Sequence, residues 1–493
     1  MNLSIFLIYL LFSFLNITLC ALHSKEEWKS RSIYQIITDR FATSNEEIKN
    51  CTDYTFYCGG DFKGIIQQLD YISGMGFGAL WISPPFKNKE GQWRYHGYHN
   101  IDIYTVNPHF GSEEDLINLI SECHKRDIWV ILDAVPNHMA DGSNEDILTY
   151  IPFNKPEYYH NLVSDGCKVD DDKKDQYHLE NCDPWGLKDL KQENEFVFNT
   201  LIKWLNDTIK KFDFDGVRYA DVVNAPKWFW GNFTLAAGTY TLGIVSKSDV
   251  ENIVDYQNYM DGVGDYPLYH TMQSSFCEGS MKSLDNYIQN EHKKYISPQY
   301  NGIWFSNHDN ERFLYKCSAS SKKAGLRNGI IFTLFFEGVP IFYYGDEQYC
   351  EKGGEGDQRR EELFGKYNNT NDLYNYIKIA NQVRKEQKIY EKDFKRRYAD
   401  DNFYAFSRGD VLIAVGNGKT GTIIITRHGL NEGEKLCNKL KDNDCITVTN
   451  DELQIGMDGE PKIFVKAENV EKISENGAGY LNLFLYLILF LFL

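Results

Sequence analysis

The chain has 493 residues, of which 42% are apolar and 15% aromatic, and its formal net charge is −18. A chain of this length exceeds one small domain and suits a large barrel with a smaller module attached. The negative balance disfavours nucleic acid and anionic membrane surfaces as partners, and by itself names no substrate.

The chain opens on an almost wholly apolar stretch, Met1 to Cys20, that ends in Thr18-Leu19-Cys20-Ala21. This predicts a secretory signal peptide over 1–20, although its first residues carry no Lys or Arg. Eleven cysteines agree with an oxidising compartment. The short spacings of Cys51 with Cys58, Cys167 with Cys182 and Cys437 with Cys445 suggest three pairs. Glycosylation triplets at Asn50, Asn206, Asn232 and Asn368 fit export.

Next come β-rich runs: Arg31 to Ile37, Gly78 to Ser83, Ile128 to Asp133, Gly216 to Tyr219, Ile303 to Ser306 and Pro340 to Tyr344. Amphipathic stretches such as Glu114 to Arg126 separate them. Strand, helix, strand in repetition predicts an α/β fold with a parallel barrel or a doubly wound sheet. Several strands end in polar residues: Asp133, Asn137 and His138; Arg218; Asn307, His308 and Asp309. At the C-terminal ends of barrel strands such residues build the active face. The polar, Asp-rich stretch 139–190 breaks the rhythm and reads as an excursion domain inserted after the third strand, within a barrel over 21–138 and 191–394. Short alternating runs then predict a C-terminal antiparallel β domain over 395–470. In the tail, 471–493, small residues at Asn476-Gly477-Ala478 precede the charge-free apolar run Leu481 to Leu493. As a helix that run reaches roughly 20 Å, short of the ~30 Å hydrocarbon core. It resembles a GPI-attachment signal with a short polar spacer, which predicts a lipid-anchored surface protein.

Several motifs, in order, resemble glycoside hydrolase family 13, the α-amylase family, and most of all its secreted fungal members. They are Tyr95-His96-Gly97-Tyr98, Asp133 to His138, Phe214 to Arg218 and Phe305 to Asn310, with support from Gly74 to Phe77 and Tyr256 to Gly262. The resemblance runs from about Ser30 to about Asp458. It implies a (β/α)8 barrel and a site for α-1,4-glucan or maltooligosaccharides. In such retaining enzymes one carboxylate attacks the sugar and a carboxylic acid protonates the leaving oxygen. By position, Asp309 matches the family's third carboxylate, and His96, Tyr98, His138 and His308 match residues that hold the reacting sugar. Arg218 matches the arginine beside the nucleophile, and Arg360 a further sugar-contacting arginine. Asn137 and Asp189 match side-chain ligands of a calcium ion, and Glu180 and Asn224 sit where carbonyl ligands are supplied. All-oxygen donors suit that hard cation.

The sequence departs from the family at two places. The nucleophile's position is Ala220, in Arg218-Tyr219-Ala220-Asp221, and the general acid's is Ile244, after Gly243. Strand alternation puts Arg218 and Ala220 on one face and Asp221 on the other, so only a local bulge would bring Asp221 in as an alternative nucleophile. Three readings follow. The first is a non-catalytic glycan-binding pseudo-amylase, the second an active hydrolase or transglycosylase using Asp221, and the third a structural surface protein that binds an unknown protein partner.

Overall fold

The computed structural model describes residues 23–160, 167–169 and 175–467. The expected signal peptide and the tail lie outside the described residues. No helix among the described residues is long and apolar enough to cross a membrane.

Eight short parallel strands form the centre: β1 (Ile33–Gln35), β2 (Ala79–Trp81), β3 (Trp129–Ala134), β4 (Gly216–Tyr219), β5 (Tyr240–Gly243), β6 (Gly262–Val263), β7 (Gly302–Trp304) and β8 (Val339–Tyr343). Strands β1 to β6 pair in chain order, β7 pairs with β8, and β8 pairs back onto β1 with Ile341 opposite Ile33. The seam between β6 and β7 is closed by a bridge from Gly264 to Gly302 and by Asp265 N–H donating to Gly302 O at 3.0 Å. The result is the expected (β/α)8 barrel. Its strands read as continuous apolar runs because both faces are covered, the inner by packed side chains and the outer by helices. Trp28 plugs the N-terminal end: it packs on Trp129 and Tyr240, and its Nε1 donates to Asp215 O at 3.2 Å. Gly216 is required there, since a Cβ would meet the Trp28 ring at 2.7 Å.

The amphipathic stretch predicted near Glu114 forms a helix over Glu113–His124, opened by a reciprocal capping box between Ser112 and Asp115. The two ends of the stretch 139–190 meet: His138–Asp141 pairs antiparallel with Leu187–Asp189, which sets His138 opposite Asp189. From Phe394 the chain forms antiparallel strands. They are β9 (Phe394–Ala399), β10 (Phe403–Arg408), β11 (Val411–Gly416), β12 (Thr420–Ile425), β13 (Lys435–Asn438), β14 (Cys445–Thr447), β15 (Leu453–Asp458) and β16 (Lys462–Lys466). Six form a sheet in the order β9-β10-β11-β16-β13-β14, and β12 pairs with β15. This module is held to the barrel helix Lys322–Phe335 by Gly416 N–H on Asn328 Oδ1 (2.9 Å) and by the Arg327–Glu460 ion pair. The three expected disulfides are present, and a fourth joins Cys277 to Cys317.

Behind the β6–β7 seam lies a buried polar knot. Asp265 caps the helix Tyr266–Phe276 and accepts from Tyr287 OH (2.5 Å), Tyr295 OH (3.2 Å) and His292 Nδ1 (3.2 Å), while His292 Nε2 reaches Glu337 at 3.4 Å. Burial opposes the imidazolium charge, but the bonds to Asp265 and Glu337 outweigh it and raise His292 to about 9. A pKa above the unfolded value of about 6.5 gives stability that is full below pH 6.5 and lost as pH rises through 9. Denaturant titrations of the wild type and His292→Gln should therefore differ most near pH 6, by roughly 2–3 kcal/mol, and converge above pH 9.5. A difference independent of pH would show that the charge contributes nothing.

Candidate functional site

The polar residues at the C-terminal ends of the strands gather around one cleft of about 880 Å³. Its floor is organised by Asp133 at the end of β3. In register on β4, Arg218 donates to Asp133 Oδ1 at 2.8 Å. Asp133 Oδ2 accepts from Trp81 Nε1 (3.0 Å) and Tyr98 OH (2.6 Å). The guanidinium is fully enclosed, and although burial works against its charge, Asp133 keeps it charged.

Tyr98 is fixed at three points. Its hydroxyl meets Asp133, its N–H donates to His96 Nδ1 (3.2 Å), and its carbonyl accepts from His138 Nε2 (3.1 Å). These bonds place the His96 proton on Nε2 and leave His138 Nδ1 as a bare acceptor. Gln35 Nε2 sits 2.5 Å from His308 Nδ1, so His308 Nε2–H is directed to Tyr98 OH at 3.0 Å. Burial depresses all three histidines, His308 to about 3, so the cleft presents neutral imidazoles.

Asp309 stands at the cleft with 43% of its side chain exposed. Tyr266 OH donates to its Oδ2 (3.3 Å), His308 Nε2 lies 3.3 Å from Oδ1, and Arg360 lies at 3.8 Å. Burial opposes its charge, but His308 and the guanidiniums of Arg360, Arg218 and Arg359 hold the carboxyl below the usual range. Arg360 is itself oriented by His308 O (2.8 Å) and Asp357 (3.1 Å).

Ala220 and Ile244 both line this cleft. Ala220 N–H still bonds Ala134 O (3.0 Å), and Ile244 N–H bonds Tyr219 O (3.1 Å), so both continue the barrel's hydrogen-bonded order just past β4 and β5. Ile244 is 5% exposed and packs into the inner cluster with Tyr266 and Trp304.

Asp221 departs from the expectation of strand alternation. The strand ends at Tyr219, and Asp221 takes a left-handed conformation (φ 51°, ψ 42°). This turn swings its side chain back, so Asp221 lines the same cleft as Ala220, with Oδ2 3.5 Å from His138 Nδ1. The alternation argument fails because it holds only while the backbone stays extended. Burial and the Asp309 charge push the Asp221 carboxyl up against the pull of His138 and Arg218.

The expected cation ligands fall on adjoining segments. Asn137 Nδ2 donates to Asp189 Oδ1 (3.0 Å), and Asn137 Oδ1 is buried without a hydrogen-bond partner. Asp189 is fully buried and bonded to His160 at 2.7 Å. Asn224 Nδ2 donates to Leu179 O (3.1 Å), which ties its segment to the helix Gln176–Asn181 that carries Glu180. No cluster of three or more His, Cys, Asp or Glu able to hold a metal occurs among the described residues.

Sequence reasoning missed the aromatic rim. Trp93 (41% exposed, φ 63°) and Trp185 (74% exposed, φ 49°) both line the cleft in left-handed conformations. Neither belongs to a periodic run, and only the nearby Gly91 and Gly186 hint at tight loops. Such a cleft, with neutral imidazoles and hydroxyls and a carboxylate balanced by guanidiniums below and exposed indoles above, suits a polyhydroxyl ligand.

Residues 35–363 match the family described as "Alpha amylase, catalytic domain". The chain is 34% identical over 471 residues to an alpha-amylase of Saccharomycopsis fibuligera, covering 91% of this chain and 94% of that protein. It is also 34% identical to alpha-amylase 2 of Schwanniomyces occidentalis, with 89% and 90% covered. Among solved structures it resembles an alpha-amylase from Malbranchea cinnamomea at TM-score 0.83 and 31% identity, covering 90% and 98% of the two chains. An alpha-amylase from Geobacillus thermoleovorans, solved complexed with acarbose, is similar at TM-score 0.79 and 32% identity, with 89% and 98% covered.

Proposed function

Because the chain belongs to the alpha-amylase family, we propose that it binds α-1,4-glucan oligosaccharides at the cell surface without hydrolysing them. The observation that carries this reading is the pair Ala220 and Ile244, both on the cleft wall where the family's nucleophile and acid are expected. Alanine has no group to attack an anomeric carbon, and isoleucine no proton to give. General acid–base catalysis alone contributes about 10²–10⁴-fold, and the covalent step goes with it. Around these two positions the hydroxyl-binding set remains: His96, Tyr98, His138, His308 and Asp309 all line the cleft with Arg218 and Arg360. The charge-free run Leu481 to Leu493 after Asn476 supports a lipid anchor at the C-terminal end.

A second reading rests on Asp221. One carboxyl held low (Asp309) and one pushed up (Asp221) in the same cleft is the environment that separates an acid from a base. On that reading the protein is a hydrolase or transglycosylase with a displaced carboxylate.

A calcium ion fits the residues present. The bare Asn137 Oδ1 and the buried Asp189 carboxylate are oxygen donors, and the carbonyls of Glu180 and Asn224 are those the family resemblance would add. When bound, the ion supplies stability rather than chemistry, by tying the excursion to the barrel.

Calorimetric titration with maltoheptaose should give a dissociation constant in the millimolar to micromolar range, roughly −4 to −8 kcal/mol. Reducing-sugar assays should show no release. Asp309→Ala should weaken binding about tenfold, by roughly 1.4 kcal/mol. Ala220→Asp with Ile244→Glu should gain hydrolysis that neither single change gives, because the two groups act as a unit. Native hydrolysis that vanishes in Asp221→Asn would establish the second reading instead.

Excess chelator should lower the melting temperature by several degrees, since a ligand bound only by the folded state stabilises it. Restored calcium should reverse the loss, and Asn137→Ala should be insensitive to both. An unchanged melting temperature in chelator would remove calcium from the account.

A further inference from the structure

A second large pocket, of about 480 Å³, lies at the opposite end of the barrel from the cleft. It is framed by the segments that enter β1, β2 and β3 and by the helix Asp372–Glu386. Its lining holds five cationic side chains, Arg31, Arg126, Lys378, Arg384 and Lys385, against one acid, Asp127. This is a local reversal in a protein whose net charge is −18.

Two of the five are neutralised. Arg31 pairs with Asp127 at 3.0 Å and stacks on Trp129, and Arg126 is held by Asp70 and Glu122. The other three have no carboxylate partner among the described residues. Lys378 and Lys385 are exposed on one helix. Arg384 is 2% exposed; it donates to Leu334 O and Lys29 O, both at 2.9 Å, and its Nε is buried with no partner. Burial and the neighbouring Arg408 push this guanidinium down to about 9. The two carbonyls hold the guanidinium in place but bring no counter-charge to it, and leaving a buried cation without one is costly. A recess lined by one sign of charge concentrates counter-ions. The rest of the lining sets hydrogen-bonding groups, among them Ser30, Ser73, Gln382 and Tyr390, beside Phe77 and three glycines, a mixed surface that suits a hydroxylated body. The volume falls within the range of small-molecule sites and exceeds what a lone oxyanion fills.

We infer that this pocket binds a phosphomonoester of sugar size, its phosphate on Lys378 and Lys385 next to the buried charge of Arg384, and its hydroxylated body against Gln382 and Tyr390. The site is separate from the glycan cleft and does not depend on the reading given to it.

The test titrates the full-length protein with glucose 6-phosphate, inorganic phosphate and glucose at constant ionic strength, by calorimetry. Glucose 6-phosphate should bind at least tenfold tighter than inorganic phosphate, and glucose should not bind this pocket. Lys378→Ala with Lys385→Ala, two exposed changes that leave the fold intact, should weaken glucose 6-phosphate at least tenfold. Lys378→Glu with Lys385→Glu should abolish it, and neither pair should alter maltoheptaose binding. Equal affinity for phosphate and glucose 6-phosphate would overturn the sugar assignment. No binding of either anion, or binding unmoved by the lysine changes, would overturn the site.

Discussion

The active end of this barrel depends on one buried carboxylate. Asp133 accepts from Trp81 on β2, from Arg218 on β4 and from the Tyr98 hydroxyl, so three neighbouring segments converge on a single side chain. Tyr98 then fixes His96 and His138 through its own backbone, and shares its hydroxyl with His308. A pair such as Asp133–Arg218 adds little net stability over a well-packed apolar pair, but losing one partner typically costs about 3–5 kcal/mol because the other is stranded. The floor is therefore constrained as a set. That constraint explains how the cleft keeps its form although Ala220 and Ile244 carry no charge.

Active sites crowd like charges together, and the crowding raises carboxyl pKa values and stores strain. Here the positions beside Asp309 hold a methyl and a branched alkyl group instead. Ile244 joins the apolar layer of Tyr266 and Trp304, so the floor beneath Asp309 is continuous with the barrel core. Asp309 shares the cleft with Asp221, but His308 and the guanidiniums of Arg360, Arg218 and Arg359 outweigh that charge and its own burial, and its carboxyl sits low.

Much of the fold was legible because its signals are local. Six strands read as apolar runs, and the helix at Glu113–His124 announced itself by its amphipathic periodicity. β6 was not legible from its pattern: two residues, Gly262 and Val263, carry no periodicity, and their place is set by tertiary pairing. The Cys277–Cys317 bond was missed because forty residues separate its partners and only the docking of two helix ends unites them. The cleft residues at strand ends were legible as a motif set. Asp221 was misjudged because alternation assumes an extended chain, and the left-handed turn begins at that residue. Trp93 and Trp185 escaped notice for a similar reason: exposed loop aromatics leave no period to read.

The order of strands has a consequence for synthesis. The barrel closes through β8 on β1, so its ring cannot form until Tyr343 has left the ribosome. In the C-terminal module, β16 is the last strand of the described chain, yet it lies inside its sheet between β11 and β13. Until Lys462 to Lys466 emerge, β11 and β13 each expose an unpaired edge. At about 5–20 residues per second the nascent chain carries those edges only briefly after the barrel is complete. A polypeptide truncated before Lys462 would carry them permanently, an open pair of edges beside an otherwise finished barrel.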